Sequence, residues 1–106
     1  MFNFLAKLLG NKGPSLEELL ANGAIVIDVR SPNEYRSGHV QKSRNIPLNS
    51  LNSKKIQSLK KENKVIITCC ASGMRSGRAA KLFKKDGLDA YNGGSWQSVE
   101  RARLKK

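Results

Sequence analysis

The sequence predicts an α/β fold, with helices packed in layers on a mainly parallel sheet, on three observations. Short runs rich in β-branched residues, 24–28 (AIVID) and 65–68 (VIIT), read as buried strands. Stretches of helical period alternate with them along the chain, as expected of strand–helix–strand units. Helix-start signatures stand immediately before two of those stretches. At 106 residues the chain suffices for one compact domain and not for two.

The elements follow in order. Residues 1–13 form an N-terminal apolar segment in which Phe2, Leu5, Leu8 and Leu9 share one helical face, expected to pack on the domain at 14–104. That segment has Lys7 inside it, lacks the pattern of a signal peptide and is too short to span a bilayer. Ser15 and Glu18 form a capping box for a helix that turns Leu16, Leu19 and Leu20 inward and ends at Asn22-Gly23. After the 24–28 strand, Ser31-Pro32-Asn33-Glu34 is a second capping box, with Pro at the first helical position; this helix stops near Gly38. Asn45-Ile46-Pro47 reads as a short strand running into a turn. Leu51, Ile56 and Leu59 suit the inner face of a helix closed by Glu62-Asn63. The 65–68 strand follows, ending at Cys69. Cys70 to Met74 is then a loop, and 75–85 a helix with Ala79, Leu82 and Phe83 inward. Residues 88–91 read as a further strand, Gly93-Gly94 as a turn and 96–104 as a last helix.

Composition narrows the function. Twenty Lys and Arg against eight Asp and Glu give a net charge of +12, a field that attracts anions. The basic residues are scattered, and no aromatic platform is interleaved with them, so nucleic-acid binding is left without support. The two cysteines are adjacent, which excludes a disulfide framework closing loops between distant segments. They and the distant His39 lack the spacing of a metal site, and no cofactor is expected. The cytoplasm is the simplest location, and a monomer the expected state.

Chemistry concentrates in Thr68-Cys69-Cys70-Ala71-Ser72-Gly73-Met74-Arg75-Ser76, which follows a buried strand and opens a helix. A loop curling over a helix start points successive amides at one centre and binds anions. Gly73 admits a backbone conformation closed to other residues, and Arg75 brings a cation. Such surroundings lower a thiol pKa from about 8.5 to roughly 3.5–7.5, so Cys70 is the candidate nucleophile and Ala71, Ser72, Gly73, Met74 and Arg75 the candidate substrate loop. The same amides would hold a terminal sulfur anion after attack on a sulfur donor. From Cys70, Gly73 stands three residues on and Arg75 five; counting from Cys69 breaks that pattern. Cys69 is expected to pack at the strand end.

The residues Ile27-Asp28-Val29-Arg30, Glu34-Tyr35, Gly38-His39-Val40 and Asn45-Ile46-Pro47 carry a family likeness. So do Cys70-x-x-Gly73-x-Arg75-Ser76 with Ala79 and Ala80, and then Gly93-Gly94 and Trp96. Over about 15–100 the chain resembles the rhodanese family in its single-domain form. The resemblance implies a rhodanese-like three-layer α/β/α sandwich and a catalytic Cys70. It also implies a small anionic sulfur donor such as thiosulfate, with a thiol, cyanide or protein as acceptor. Two departures stand out: Gln41-Lys42-Ser43-Arg44 replaces the small residues usual there, and Cys69 precedes the nucleophile, which leaves a redox role open.

Other readings compete. A Cys-dependent phosphatase needs a wider cradle than the four residues enclosed by Cys70 and Arg75. A non-enzymatic persulfide carrier or interaction module would share Cys70 and differ in turnover. Asp28, Arg30, Glu34 and His39 do not read as a catalytic triad. Asp28 and Glu34 have local structural roles, Arg30 can pair with either carboxylate, and His39 reads as a hydrogen-bonded structural residue. Trp96 suits the core or a wall of the site, and Arg78 either draws anions or lies on a solvated helix face.

Overall fold

The computed structural model describes residues 13–105, so the expected N-terminal helix face lies outside the described residues. Four parallel strands form one sheet: β1 (Ile25–Asp28), β2 (Arg44–Asn45), β3 (Ile66–Cys70) and β4 (Ala90–Ser95), in the order β2-β1-β3-β4. Parallel neighbours need crossovers, and helices supply them. In chain order these are α1 (Leu16–Ala21), α2 (Pro32–Arg36), α3 (Ser53–Glu62), α4 (Met74–Lys85) and α5 (Trp96–Leu104).

Two apolar clusters make the sheet the middle of three layers. On one face Ile56 and Leu59 of α3 and Ala79, Ala80 and Phe83 of α4 pack on Ile27, Ile66 and Ala90. On the other, Leu16, Leu19 and Leu20 of α1 and Trp96 and Val99 of α5 pack on Val26 and Ile67. The alternation of side chains along β3 therefore sends Cys70 to the first face and Cys69 to the second.

Local signals act where expected. Both capping boxes are formed, Ser15 with Glu18 and Ser31 with Glu34. The unusual 41–44 stretch turns at Gln41-Lys42, Lys42 at φ 71°, before β2 begins at Arg44, and the Ser43 carbonyl accepts from the Tyr35 hydroxyl at 2.6 Å.

Several expectations need correction. The third strand continues through Cys70 because pairing with β4 extends that far, Cys70 opposite Ser95. The last strand starts at Ala90 and runs through Gly93-Gly94, which is no turn. Gly93 is there for lack of room: a Cβ on it would sit 2.7 Å from Ile67 Cγ2 and Val99 Cγ2 and 2.8 Å from the Thr68 carbonyl. Leu82, expected inward, is 42% exposed on the outer side of α4. Leu51 precedes α3, half-buried against the core, and the second helix ends at Arg36.

Candidate active site

Cys70 occupies the last position of β3, fully buried, where the chain leaves the sheet and turns into α4. Gly73 makes that turn possible. It caps α4 at φ 106° and ψ −10°, a region that penalises any Cβ, and its own Cβ position would meet Gly94 Cα at 3.4 Å. The turn folds the loop back over the sulfur. Cys70 Sγ accepts from the Gly73 amide at 2.9 Å and the Ser76 amide at 3.4 Å, and the Ser76 hydroxyl lies 3.4 Å away. Burial pushes the thiol pKa up, but the Ser76 hydroxyl and the Ser76, Gly73 and Ser72 amides outweigh it, leaving Cys70 below the ordinary thiol value.

A second layer of contacts fixes those donors. Asn92 of β4 accepts from the Ser76 hydroxyl at 2.6 Å and from the Gly94 amide at 2.9 Å, and it donates to the Gly73 carbonyl at 3.1 Å. Thr68 donates to the Ser76 carbonyl at 2.8 Å. The Ser76 hydroxyl has one proton, which serves Asn92 while Cys70 is a thiol and can swing to Sγ when it ionises.

The candidate loop residues separate into two groups. Cys70 and Gly73 meet directly, and Ser72 contributes its amide, while the side chains of Ala71, Ser72 and Met74 face outward, Met74 73% exposed. The Arg75 guanidinium is taken up by Glu34 of α2 in a bidentate pair, at 2.7 and 3.0 Å. The hydrogen bonds from Arg75 hold the Glu34 carboxyl down to about 2. The sequence reading missed Ser76, Asn92 and this use of Glu34. Ser76 had a signal, since it falls in the first turn of a helix whose amides point at Cys70; Asn92 had none.

The remaining candidates are held in contacts with their neighbours. Arg30 settles on Asp28, both buried, through contacts of 2.6 to 3.0 Å, and also donates to the Glu34 and Gly38 carbonyls. Its guanidinium carbon lies 5.2 Å from the Trp96 ring, which packs in the second core cluster. His39 stacks on Tyr35 with ring centroids 3.7 Å apart, and its Nδ1 lies 2.7 Å from the Tyr35 carbonyl. Cys69 is buried on the opposite face; desolvation pushes its thiol up to about 12. Cys69 thus points away from the loop that folds over Cys70. Among the described residues no cluster of three or more His, Cys, Asp or Glu could hold a metal, and no helix is long and apolar enough to cross a membrane.

Comparison with known proteins gives a match to the "Rhodanese-like domain" family over residues 14–101. The chain belongs to the rhodanese-like domain family. Its relatives include the uncharacterized protein YqhL of Bacillus subtilis, 41% identical over 70 residues, covering 65% of this chain and 54% of that one. The chain thus spans about half the length of that relative. Thiosulfate sulfurtransferase PspE of Escherichia coli is 29% identical over 80 residues, 74% of this chain and 77% of that protein. Among solved structures, a rhodanese with anions from E. coli superposes with a TM-score of 0.64 at 28% identity, covering 72% of this chain and 91% of that one. The parallel α/β sandwich of this chain is the rhodanese fold.

Proposed function

We propose that this rhodanese-like domain is a sulfurtransferase that carries sulfane sulfur as a persulfide on Cys70. The carrying observation is the ring of donors on its sulfur: the Gly73 amide at 2.9 Å, with the Ser76 amide and hydroxyl each at 3.4 Å. Oriented donors stabilise the attacking thiolate and then the terminal sulfur anion that replaces it. With thiosulfate, the Cys70 thiolate attacks the outer sulfur, the S–S bond breaks, and sulfite leaves with the bonding pair. An acceptor thiolate or cyanide next attacks the terminal sulfur of the Cys70 persulfide, which expels the Cys70 thiolate. Charge and atoms balance at each step, and neither metal nor cofactor is called for.

The likeness to thiosulfate sulfurtransferase PspE and to an anion-bearing rhodanese supports this reading. The loop from Ala71 to Arg75 encloses the donor, mainly through its backbone. The catalytic unit is 14–104, acting as a monomer, and two unpaired thiols suit a reducing compartment such as the cytoplasm.

Intact mass after treatment with thiosulfate, and separately with an alkyl persulfide, tests the proposal. One added sulfur should appear on the parent protein and be missing from Cys70→Ser. No added sulfur from either donor would reject it. Loaded sulfur that passes to cyanide or a small thiol over many turnovers marks an enzyme, whereas hand-over to one protein alone marks a carrier.

A further inference from the structure

The hydroxyl beside Cys70 is contested. Ser76 Oγ lies 3.4 Å from Cys70 Sγ and 2.6 Å from Asn92 Oδ1, and it has a single proton for the two. Asn92 reaches that point from β4, its carboxamide laid over the first turn of α4. Gly77 leaves the room for it: a Cβ there would stand 3.2 Å from Asn92 Nδ2. Which end of the carboxamide meets Ser76 is fixed by the backbone on either side. The Gly94 amide, 2.9 Å from Oδ1, can only donate, and the Gly73 carbonyl, 3.1 Å from Nδ2, can only accept. The end that meets Ser76 is therefore the oxygen, which has no proton to give.

That polarity sets the direction of every contact between Asn92 and the sulfur. With Asn92 as acceptor, the Ser76 proton points away from Cys70, and a lone pair of the Ser76 oxygen faces Sγ. A Cys70 thiol can donate into that lone pair. A thiolate cannot, and must first draw the Ser76 proton off Asn92. The Gly73 and Ser76 amides differ, since each points a proton at the sulfur in both states. Two donors therefore favour the thiolate outright, and the third does so only after a 2.6 Å hydrogen bond is given up. Charged groups on the surrounding elements do not override this competition. Arg75 of α4 is paired with Glu34 of α2, and Arg30 with Asp28 at the end of β1. The other charged side chains of α3 and α4 are exposed. β4 has one titratable group, Tyr91, which packs on the opposite face, and the Cys69 thiol, pushed up to about 12, stays neutral.

We propose that Asn92 is a positioning residue that acts on Cys70 through Ser76: it holds the Ser76 proton off the sulfur while Cys70 is a thiol, and competes with the thiolate for that proton afterwards. Ionisation of Cys70 is thus held back from what its three donors would allow if all were free. The thiol proton leaves to solvent, and Ser76 keeps its own proton, which turns from Asn92 Oδ1 to Sγ. The hydroxyl then serves the sulfur only when the sulfur carries negative charge. In the sulfurtransferase reading above, on which this place in catalysis rests, those moments are the attacking thiolate and the thiolate expelled from the persulfide. The competition also preserves reactivity, because a thiolate made more acidic by an extra donor is a weaker nucleophile.

The test is the ionisation midpoint of Cys70, read on the full chain from the pH dependence of iodoacetamide labelling by intact mass, with no sulfur donor present. Asn92→Ala removes the competing acceptor at an exposed position where water can both donate and accept. The midpoint should therefore fall by about 0.5–1 pH unit, the size of one neutral hydrogen bond. Labelling below the midpoint should speed up about two- to threefold, the larger thiolate fraction being partly offset by lower intrinsic reactivity. A residue that only braces the Gly73 carbonyl would give the opposite sign, since a looser loop raises the midpoint. In the Ser76→Ala background no proton is contested, and Asn92→Ala should leave the midpoint in place or raise it. Asn92→Asp keeps the Gly94 and Ser76 contacts and presents a stronger acceptor. Its midpoint should rise, and rise further with Ser76 present than in Ser76→Ala, where only the added charge acts. A midpoint that stays or rises in Asn92→Ala, or a shift of equal size in both backgrounds for either variant, would overturn the assignment. Absence of a Cys70 persulfide with both thiosulfate and an alkyl persulfide would remove the sulfurtransferase reading, while the midpoints would still decide whether Asn92 holds the Ser76 proton.

Discussion

Replacing Ser76 with Ala isolates one of the donors that lower the Cys70 pKa. The change deletes a hydroxyl 3.4 Å from Sγ and leaves the Gly73 and Ser76 amides in place. A hydrogen bond to a charged partner contributes roughly 1.5–3 kcal/mol. Two features put this one at the low end: the contact is long, and its proton must be drawn away from Asn92 Oδ1, 2.6 Å from the Ser76 oxygen. A net contribution near 1.4 kcal/mol moves the ionisation midpoint of Cys70 up by about one pH unit. Below the midpoint the thiolate fraction then falls about tenfold, while the more basic thiolate gains about threefold in intrinsic reactivity. Alkylation of Cys70 should therefore slow about threefold on the acid side and overtake the parent rate well above the midpoint. Iodoacetamide labelling followed by intact mass across the pH range reads both arms, and Cys69 stays silent because burial pushes its thiol up to about 12. A profile with an unmoved midpoint, or one displaced toward acid, refutes activation by the hydroxyl.

Four more outcomes follow from the geometry. Cys69→Ala, a small cavity on the far face of the sheet, should cost about 1 kcal/mol in urea unfolding and leave sulfur loading by mass within about twofold; loss of loading would make Cys69 a partner in the chemistry. Gly93→Ala forces a Cβ to 2.7 Å from Ile67 and Val99, an overpacking of about 1–3 kcal/mol, so the melting temperature should fall by about 10 °C; an unchanged value would mean that β4 shifts freely. Arg30→Ala strands the Asp28 carboxylate, fully buried, and should cost about 3–5 kcal/mol by the same unfolding assay. Finally, Glu34 has its carboxyl lowered to about 2 from an unfolded value near 4.3, so its contribution is fully present above that unfolded value and lost as pH falls through about 2. The stability difference between parent and Glu34→Gln should hold steady above about pH 5 and vanish near pH 2, at no more than about 1 kcal/mol for so exposed a pair; a difference that grows in acid contradicts it.

What the sequence makes legible here is local, and what it hides is tertiary. Ser15 and Glu18, or Ser31 and Glu34, sit three residues apart and declare their helices by a contact that needs no other part of the chain. Residues 65–68 read as a strand because the run is apolar and β-branched, which needs only that something cover both faces; its extension through Cys70 depends on pairing with β4. Gly93-Gly94 misleads because the glycine signal is the same for a turn and for a strand position pressed by its neighbours; only the packing of Ile67 and Val99 against it decides. Leu82 misleads because a helix over a narrow sheet buries a thinner stripe than its apolar residues occupy. Cys70 and Gly73 were legible as a unit, being joined by a turn. Arg75 and Glu34 lie 41 residues apart and meet only once α2 and α4 converge, so the expectation of a free cation was reasonable and the structure replaces it with a pair.

The two buried or half-buried guanidiniums near the carboxyl ends of the strands are both paired, Arg30 with Asp28 and Arg75 with Glu34. What remains for the Cys70 sulfur is a set of dipoles: amides fixed by the turn at Gly73, and a hydroxyl fixed by Asn92. Dipoles at contact and net charges at a distance differ in how salt affects them. Mobile ions screen a separated charge within a Debye length but do not enter a hydrogen bond on a buried atom. The overall charge of +12 governs how fast anions arrive and weakens with added salt, whereas the ionisation of Cys70 rests on bonds that salt leaves intact. Encounter and activation are thus separate properties of this chain. Substitutions on the basic surface should change the first, while Gly73, Ser76 and Asn92 govern the second.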